Sequence, residues 1–124
     1  MKIGNIDTSE KVFIIAEIGN NHEGSYNLAK EMIELAAKAG ADAVKFQIII
    51  PERLVSIQQK DRIRQLKKFQ LSYAEFTKLS KIAMNEGVIF LSTPFDIDSA
   101  LFLNDLSPAY KIASGDNDFF PLIE

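Results

Sequence analysis

Short apolar runs alternate with polar loops and helix-spaced stretches along the whole chain. Val12-Phe13-Ile14-Ile15-Ala16 is continuous and rich in β-branched residues, which predicts a strand buried on both faces of a parallel sheet. The polar loop Gly19-Asn20-Asn21-His22-Glu23-Gly24 follows. Ser25 is placed to cap a helix whose apolar positions, Leu28, Met32, Leu35 and Ala36, recur at three- and four-residue spacing until Gly40 ends it. Ala43-Val44-Lys45-Phe46-Gln47 predicts a second strand, with Lys45 and Gln47 where a buried strand prefers apolar residues. A long connection then runs from Ile48 to Leu71, with Pro51 near its start. Its segment Lys60 to Lys68 mixes charges and predicts a short solvated helix. Connections longer than ~12–15 residues are uncommon and often functional.

Ser72-Tyr73-Ala74-Glu75 has the spacing of a capping box, and the helix it opens continues through Phe76, Leu79, Ile82 and Ala83 to Gly87. Val88-Ile89-Phe90-Leu91-Ser92 predicts the third strand and Thr93-Pro94-Phe95-Asp96 a turn, with Asp96 capping a helix marked by Ala100, Leu101, Leu103 and Leu106. Tyr110-Lys111-Ile112-Ala113 predicts a fourth strand, Ser114 to Asn117 a turn, and Pro121 the first turn of another helix. Met1 to Ile6, with the turn Asp7 to Glu10, predicts a small hairpin before the first strand. The order β-α-β-α-β-α-β implies right-handed crossovers and a parallel sheet. A small doubly wound sheet fits, and so does the first half of a (β/α)8 barrel, which needs ~250 residues. A chain that stops just as a helix opens favours the half-barrel.

The composition narrows the class. At 124 residues, one domain is expected. Apolar residues at 47% and charged residues at 25% exclude a disordered or collagen-like chain. Fourteen basic against seventeen acidic residues give a net charge of −3, so the basic footprint of a nucleic-acid binder is missing. No apolar run approaches the ~20 residues of a membrane helix, and no secretory signal is visible. The absence of cysteine excludes disulfides, thiolate zinc and a cysteine nucleophile. A cytoplasmic location is the expectation.

Ligands of parallel α/β folds sit at the carboxyl ends of the strands. Those ends here carry Glu17, then Lys45 and Gln47, then Ser92 and Thr93, then Lys111 and Ser114, with Asp116 in the next turn. Two lysines within apolar strands cost desolvation unless something negative pairs with them. Either they form internal salt bridges, to Glu17 or Asp116, or they converge on an anionic ligand caged by Thr93, Ser114 and turn amides. Glu17 pairs Lys45 or faces a substrate. His22 reads as a loop anchor, and a single histidine cannot build a multi-histidine metal site. Phe119-Phe120 reads as core or interface, and Arg62 to Lys68 as a solvated face overhanging the active end. No Walker lysine motif or GxGxxG supports a nucleotide cofactor.

Four ordered motifs resemble the N-acetylneuraminate (sialic acid) synthase family over nearly the whole chain. They are Ala16-Glu17-Ile18-Gly19 with Asn21-His22-Glu23-Gly24, Ala39 to Gln47, Phe90-Leu91-Ser92-Thr93-Pro94-Phe95, and Ala109 to Gly115. The resemblance implies a TIM barrel followed by an antifreeze-like domain, working as a dimer with a divalent metal such as manganese or magnesium. It implies condensation of phosphoenolpyruvate with an N-acetylated hexose, releasing phosphate and forming a nine-carbon keto acid for surface polysaccharide synthesis. By the match, Lys45, Thr93, Lys111 and Ser114 bind phosphoenolpyruvate, Gln47 contacts the sugar, and Glu17 lies near sugar and metal. Where the family carries a glutamate that handles the attacking water or its proton, this chain has Asp116, one methylene shorter. Residues 1–124 would then be the N-terminal portion of the barrel domain. The second half, with the metal-binding histidines, and the antifreeze-like domain would be absent. Two other readings stay open. One is a different phosphoenolpyruvate-condensing barrel making keto-deoxy sugar acids. The other is a non-catalytic half-barrel that binds anions and self-associates, because a half-barrel leaves sheet edges open.

Overall fold

The computed structural model describes residues 1–124. A small antiparallel hairpin, β1 (Lys2–Ile3) and β2 (Ile6–Asp7), opens the chain. The central element is a parallel sheet of β3 (Ile15–Gly19), β4 (Ala43–Ile48) and β5 (Ile89–Pro94), in that spatial order. α1 (Tyr26–Lys38) crosses from β3 to β4. The passage from β4 to β5 carries α2 (Pro51–Leu54), α3 (Lys60–Lys67) and α4 (Tyr73–Asn85). After β5 come α5 (Ile97–Leu103), a 3-10 turn at Ser114–Asp116, and α6 (Phe120–Ile123).

The helix ends follow from local chemistry. Ser25 Oγ accepts the Leu28 N–H at 3.2 Å, satisfying one of the free donors at the start of α1. Past the end of α1, Gly40 takes φ +91°, a conformation with no penalty for a residue lacking Cβ. Ser72 and Glu75 complete a reciprocal capping box at 3.2 and 2.7 Å. Asp96 caps α5 through the Ser99 N–H at 3.1 Å, and Pro121 lies in the first turn of α6.

Strand alternation divides the sheet into two chemically different faces. Ile18, Val44, Phe46, Ile48 and Phe90 join Ile33 of α1, Phe76 and Leu79 of α4 and Leu103 of α5 in one buried cluster. Phe46 is its centre, stacked on Phe90 at 5.5 Å and edge-on to Phe76 at 6.1 Å. The register pairs Glu17 with Lys45, Lys45 with Leu91, and Gln47 with Thr93. These residues alternate with the core set and so lie on the opposite face.

The sheet differs from the sequence expectation at its edges. The first strand is Ile15–Gly19 rather than Val12 to Ala16, and it is not buried on both faces: Val12 is 81% exposed and Ile15 41%. The reason lies at Asp42. Its carboxylate accepts the Ile14 N–H at 2.9 Å, and Ile14 O accepts the N–H groups of Asp42 and Ala43, so the ladder with β4 starts at the Ile14 carbonyl while the Ile14 N–H is taken by a side chain. The third strand runs on through Thr93 and Pro94, two positions assigned to a turn. Tyr110–Ala113 contributes only a single parallel bridge, Ser92 to Tyr110, so the sheet has three strands instead of four. Phe119 and Phe120 are exposed rather than core.

Candidate functional site

The helix-free face of the sheet brings several of the expected polar residues together. Lys45 is buried by the strands on either side, and its Nζ lies 2.5 Å from Glu17 Oε2, the residue opposite it in register. The same ammonium is 3.5 Å from Thr93 Oγ1, which is also buried. One strand step further toward the carboxyl ends, Gln47 Oε1 accepts from Asn20 Nδ2 at 3.1 Å. About half of the Glu17 side chain is exposed (52%). It can therefore hold the Lys45 charge while remaining largely hydrated.

The two lysines have different partners. Lys45 is salt-bridged to Glu17, one of the two internal pairings foreseen for it. Lys111 has no carboxylate partner; its ammonium turns to the Ile112 carbonyl and is exposed. Glu17, Lys45 and Lys111 line one hollow of about 280 Å³, together with Ile15, Leu91 and Tyr110. Two cations and one carboxylate thus face a concave surface with a net positive local charge, which suits a multiply charged anion.

Ser114 and Asp116 sit in the 3-10 turn, and no hydrogen bond joins them to Lys45 or Thr93. The Ser114 residue is exposed. Asp116 Oδ2 is buried and unpartnered, an acceptor atom with unused capacity. No three histidine, aspartate or glutamate side chains gather as a metal site.

His22 anchors its loop. It is fully buried beside Phe46, and its Nδ1 accepts the Gly24 N–H at 3.1 Å, which assigns the proton of the neutral ring to Nε2. Burial lowers its pKa, against a smaller upward pull from Glu75. The unfolded state then binds more protons below its ordinary value of about 6.5, so stability falls as pH drops through and below that value. The carboxyls held low, Asp42, Glu75 and Asp96, lose their contribution in a separate, more acidic window. A urea midpoint that drops between pH 7.5 and 5.5 in the wild type, and flattens in His22→Gln, is expected. This is the sole histidine of the chain, so the comparison is clean.

Two participants carry no signal in a one-dimensional reading. Asn20 holds Gln47 from the loop after β3. Arg53, in the unanticipated α2, donates to Asp96 Oδ1 at 2.7 Å and also pairs with Asp98. The bond with Asp96 is the main reason the Arg53 pKa is raised. Burial works to raise the Asp96 carboxyl, but the bonds from Ser99 and Arg53 outweigh it and leave its pKa lowered.

Comparison with known proteins gives consistent matches. Residues 32–124 match the NeuB family model. The chain is 42% identical over 127 residues to the uncharacterized protein MJ1065 of Methanocaldococcus jannaschii, covering 100% of this chain and 37% of that one. It is 39% identical to a pseudaminic acid synthase of Campylobacter jejuni, covering 99% of this chain and 41% of the relative. The crystal structure of an N-acetylneuraminic acid (sialic acid) synthetase from Leptospira borgpetersenii, in complex with citrate, superposes with a TM-score of 0.90. It is 34% identical and covers 99% of this chain and 44% of that chain. The chain spans about two fifths of the length of the curated relatives it matches.

Proposed function

Because the chain belongs to the NeuB family, whose named relatives are sugar acid synthases, we propose that it forms the phosphoenolpyruvate-binding part of such a synthase. On this reading residues 1–124 are the N-terminal half of a TIM barrel. The whole enzyme condenses phosphoenolpyruvate with an N-acetylated hexose of the N-acetylmannosamine type, in the service of surface polysaccharide synthesis. The observation that carries the reading is the shared hollow in which Lys45 and Lys111 face one side of the sheet with Glu17.

The chain's own residues then divide the work. Lys45 and Lys111 neutralise and orient the phosphate and carboxylate, an electrostatic and positional contribution. Thr93 donates its hydroxyl to the same anion, and Ser114 adds a second hydroxyl from the neighbouring turn. Glu17 holds Lys45 in place at the hollow until substrate arrives. Gln47, steadied by Asn20, meets the sugar. Asp116 accepts a proton from the water that attacks the cationic carbon formed when the enol carbon adds to the sugar carbonyl. Phosphate then leaves by C–O cleavage. The divalent metal implied by the family resemblance would draw its ligands from residues outside this chain. The partner is a second copy: exposed Val12, Ile14 and Phe120 favour self-association, which is also the route to the second reading, a non-catalytic anion-binding module. No helix is long and apolar enough to cross a membrane.

Titration with phosphoenolpyruvate tests the proposal. Binding is expected on the order of millimolar, because only part of a cage is present, and weaker at higher salt. Lys111→Ala should remove most of it. Asp116→Ala should spare or strengthen it by deleting a nearby negative charge. Identical titration shifts for wild type and Lys111→Ala would sink the cage.

A further inference from the structure

The connection between β4 and α4 is fastened near both ends to Asp96, directly by Arg53 and through Ser99 by Tyr73. Arg53, five residues beyond the end of β4, donates to Asp96 at 2.7 Å, and Asp96 stands two residues beyond the end of β5. Asp96 is buried, and its other oxygen accepts Ser99 Oγ at 2.5 Å. Ser99 Oγ in turn lies 3.0 Å from the Tyr73 hydroxyl, at the first residue of α4, and Tyr73 stacks on Phe102 of α5 at 4.1 Å. Between these anchors, Lys67 of α3 pairs with Glu52 of α2. The whole 48–72 segment is therefore strapped over the carboxyl ends of the strands.

β4 and β5 are the adjacent strands that carry Lys45, Gln47 and Thr93. A guanidinium on the chain leaving β4, bonded to a carboxylate on the chain leaving β5, closes a clamp just beyond these three side chains. Ladder hydrogen bonds fix the two strands up to Ile48 and Pro94; past that point Arg53 ties the two exits together through Asp96 and Asp98. We propose that Arg53 and Asp96 are positioning residues for the anion site. Their pairing fixes the two strand exits immediately beyond Gln47 and Thr93, where the ladder ends. The ligand class, a small phosphorylated carboxylic acid, rests on the function proposed above. A single guanidinium nitrogen, Arg53 Nη1, reaches both Asp96 and Asp98, and a lysine ammonium reproduces its charge but not the plane of the group that carries it.

The experiment titrates the chain with inorganic phosphate and with phosphoenolpyruvate, in wild type, Arg53→Gln, Arg53→Lys, Asp96→Ser, Asp96→Ala and Asp98→Asn. Serine at 96 keeps an N-cap oxygen for α5 while deleting the carboxylate, so it separates the clamp from the cap. Circular dichroism confirms that each variant titrated is folded. Hydrogen exchange at residues 48–54 and 93–96 is followed without ligand. We expect Arg53→Gln and Asp96→Ser to weaken both anions by about five- to ten-fold, Arg53→Lys to recover part of that loss, and Asp98→Asn to change it by less than about two-fold. Exchange should quicken at both segments in Arg53→Gln and not elsewhere. Should Asp96→Ser bind as wild type while Asp96→Ala does not, Asp96 is only a helix cap and the clamp is refuted. Wild-type affinity in folded Arg53→Gln overturns it equally. A wild type that binds neither anion overturns the site reading itself, and the clamp as a device for that site with it. The exchange rates then show only whether the strap orders the fold.

Discussion

Lys45→Met is expected to leave the fold standing and to remove phosphoenolpyruvate binding. The Lys45 side chain is 11% exposed and Glu17 52%, so the pair is asymmetric. The lysine gives up most of its hydration, while the carboxylate keeps about half of its own. A pair of this kind returns little net stability, because the desolvation cost offsets much of the Coulomb attraction. Methionine keeps the length and apolar stem of lysine and leaves no buried charge behind, since Glu17 can turn further into water. The stability change should stay within about 1 kcal/mol by urea unfolding. Binding should fall by at least about ten-fold, equivalent to about 1.4 kcal/mol, because one of the two ammonium groups facing the hollow is gone. The reverse change, Glu17→Gln, leaves the buried lysine unpaired and should cost more stability than Lys45→Met does. Wild-type affinity in the methionine variant would remove Lys45 from the site. An unfolded Lys45→Met would make the pair a structural element.

The helix boundaries were legible because their determinants are local. Ser25, Gly40, the Ser72–Glu75 pair, Gly87 and Asp96 act on backbone groups within a few residues, and each lies where the spacing placed it. Strand boundaries depend on partners far along the chain, and there the reading slipped. Val12 to Ile14 has strand composition, but Asp42, about thirty residues on, takes the Ile14 backbone. Tyr110 to Ala113 has strand composition as well, yet only Ser92 reaches it. The site divides in the same way. Lys45, Gln47 and Thr93 announced themselves by being polar inside apolar runs, and alternation put them on one face. The Glu17–Lys45 pairing was one of the readings open from the sequence, and register selects it by placing Glu17 opposite Lys45; Lys111 instead turns to a neighbouring carbonyl, which no sequence pattern marks. The Arg53–Asp96 bond spans 43 positions and gave no periodic signal at all.

Gly24→Ala should be the most damaging single-methyl change in the loops. Gly24 sits at φ +78°, in left-handed space, where a Cβ crowds its own carbonyl at a cost of about 1–2 kcal/mol. An added Cβ would also stand 2.1 Å from the Lys68 carbonyl oxygen and 3.2 Å from its carbon. Both are backbone atoms, so no side-chain rotation relieves the overlap, and the chain leaving α3 must move away from the β3–α1 loop. Forced displacement of packed groups typically adds about 1–3 kcal/mol. The Gly24 N–H is also what His22 Nδ1 accepts, so displacing Gly24 threatens the only hydrogen bond of a buried ring. Gly40 supplies the control: its φ is +91°, and nothing lies within 4 Å of its would-be Cβ. Gly40→Ala should therefore lose only the conformational part, about 1–2 kcal/mol. Gly24→Ala should lose about 2–5 kcal/mol, a large share of the stability of a domain this size. Urea denaturation of the two variants side by side isolates the contact. Equal losses would mean that the approach of Lys68 to Gly24 contributes nothing, and that the long connection is held over the strands by the Arg53 and Tyr73 anchors alone.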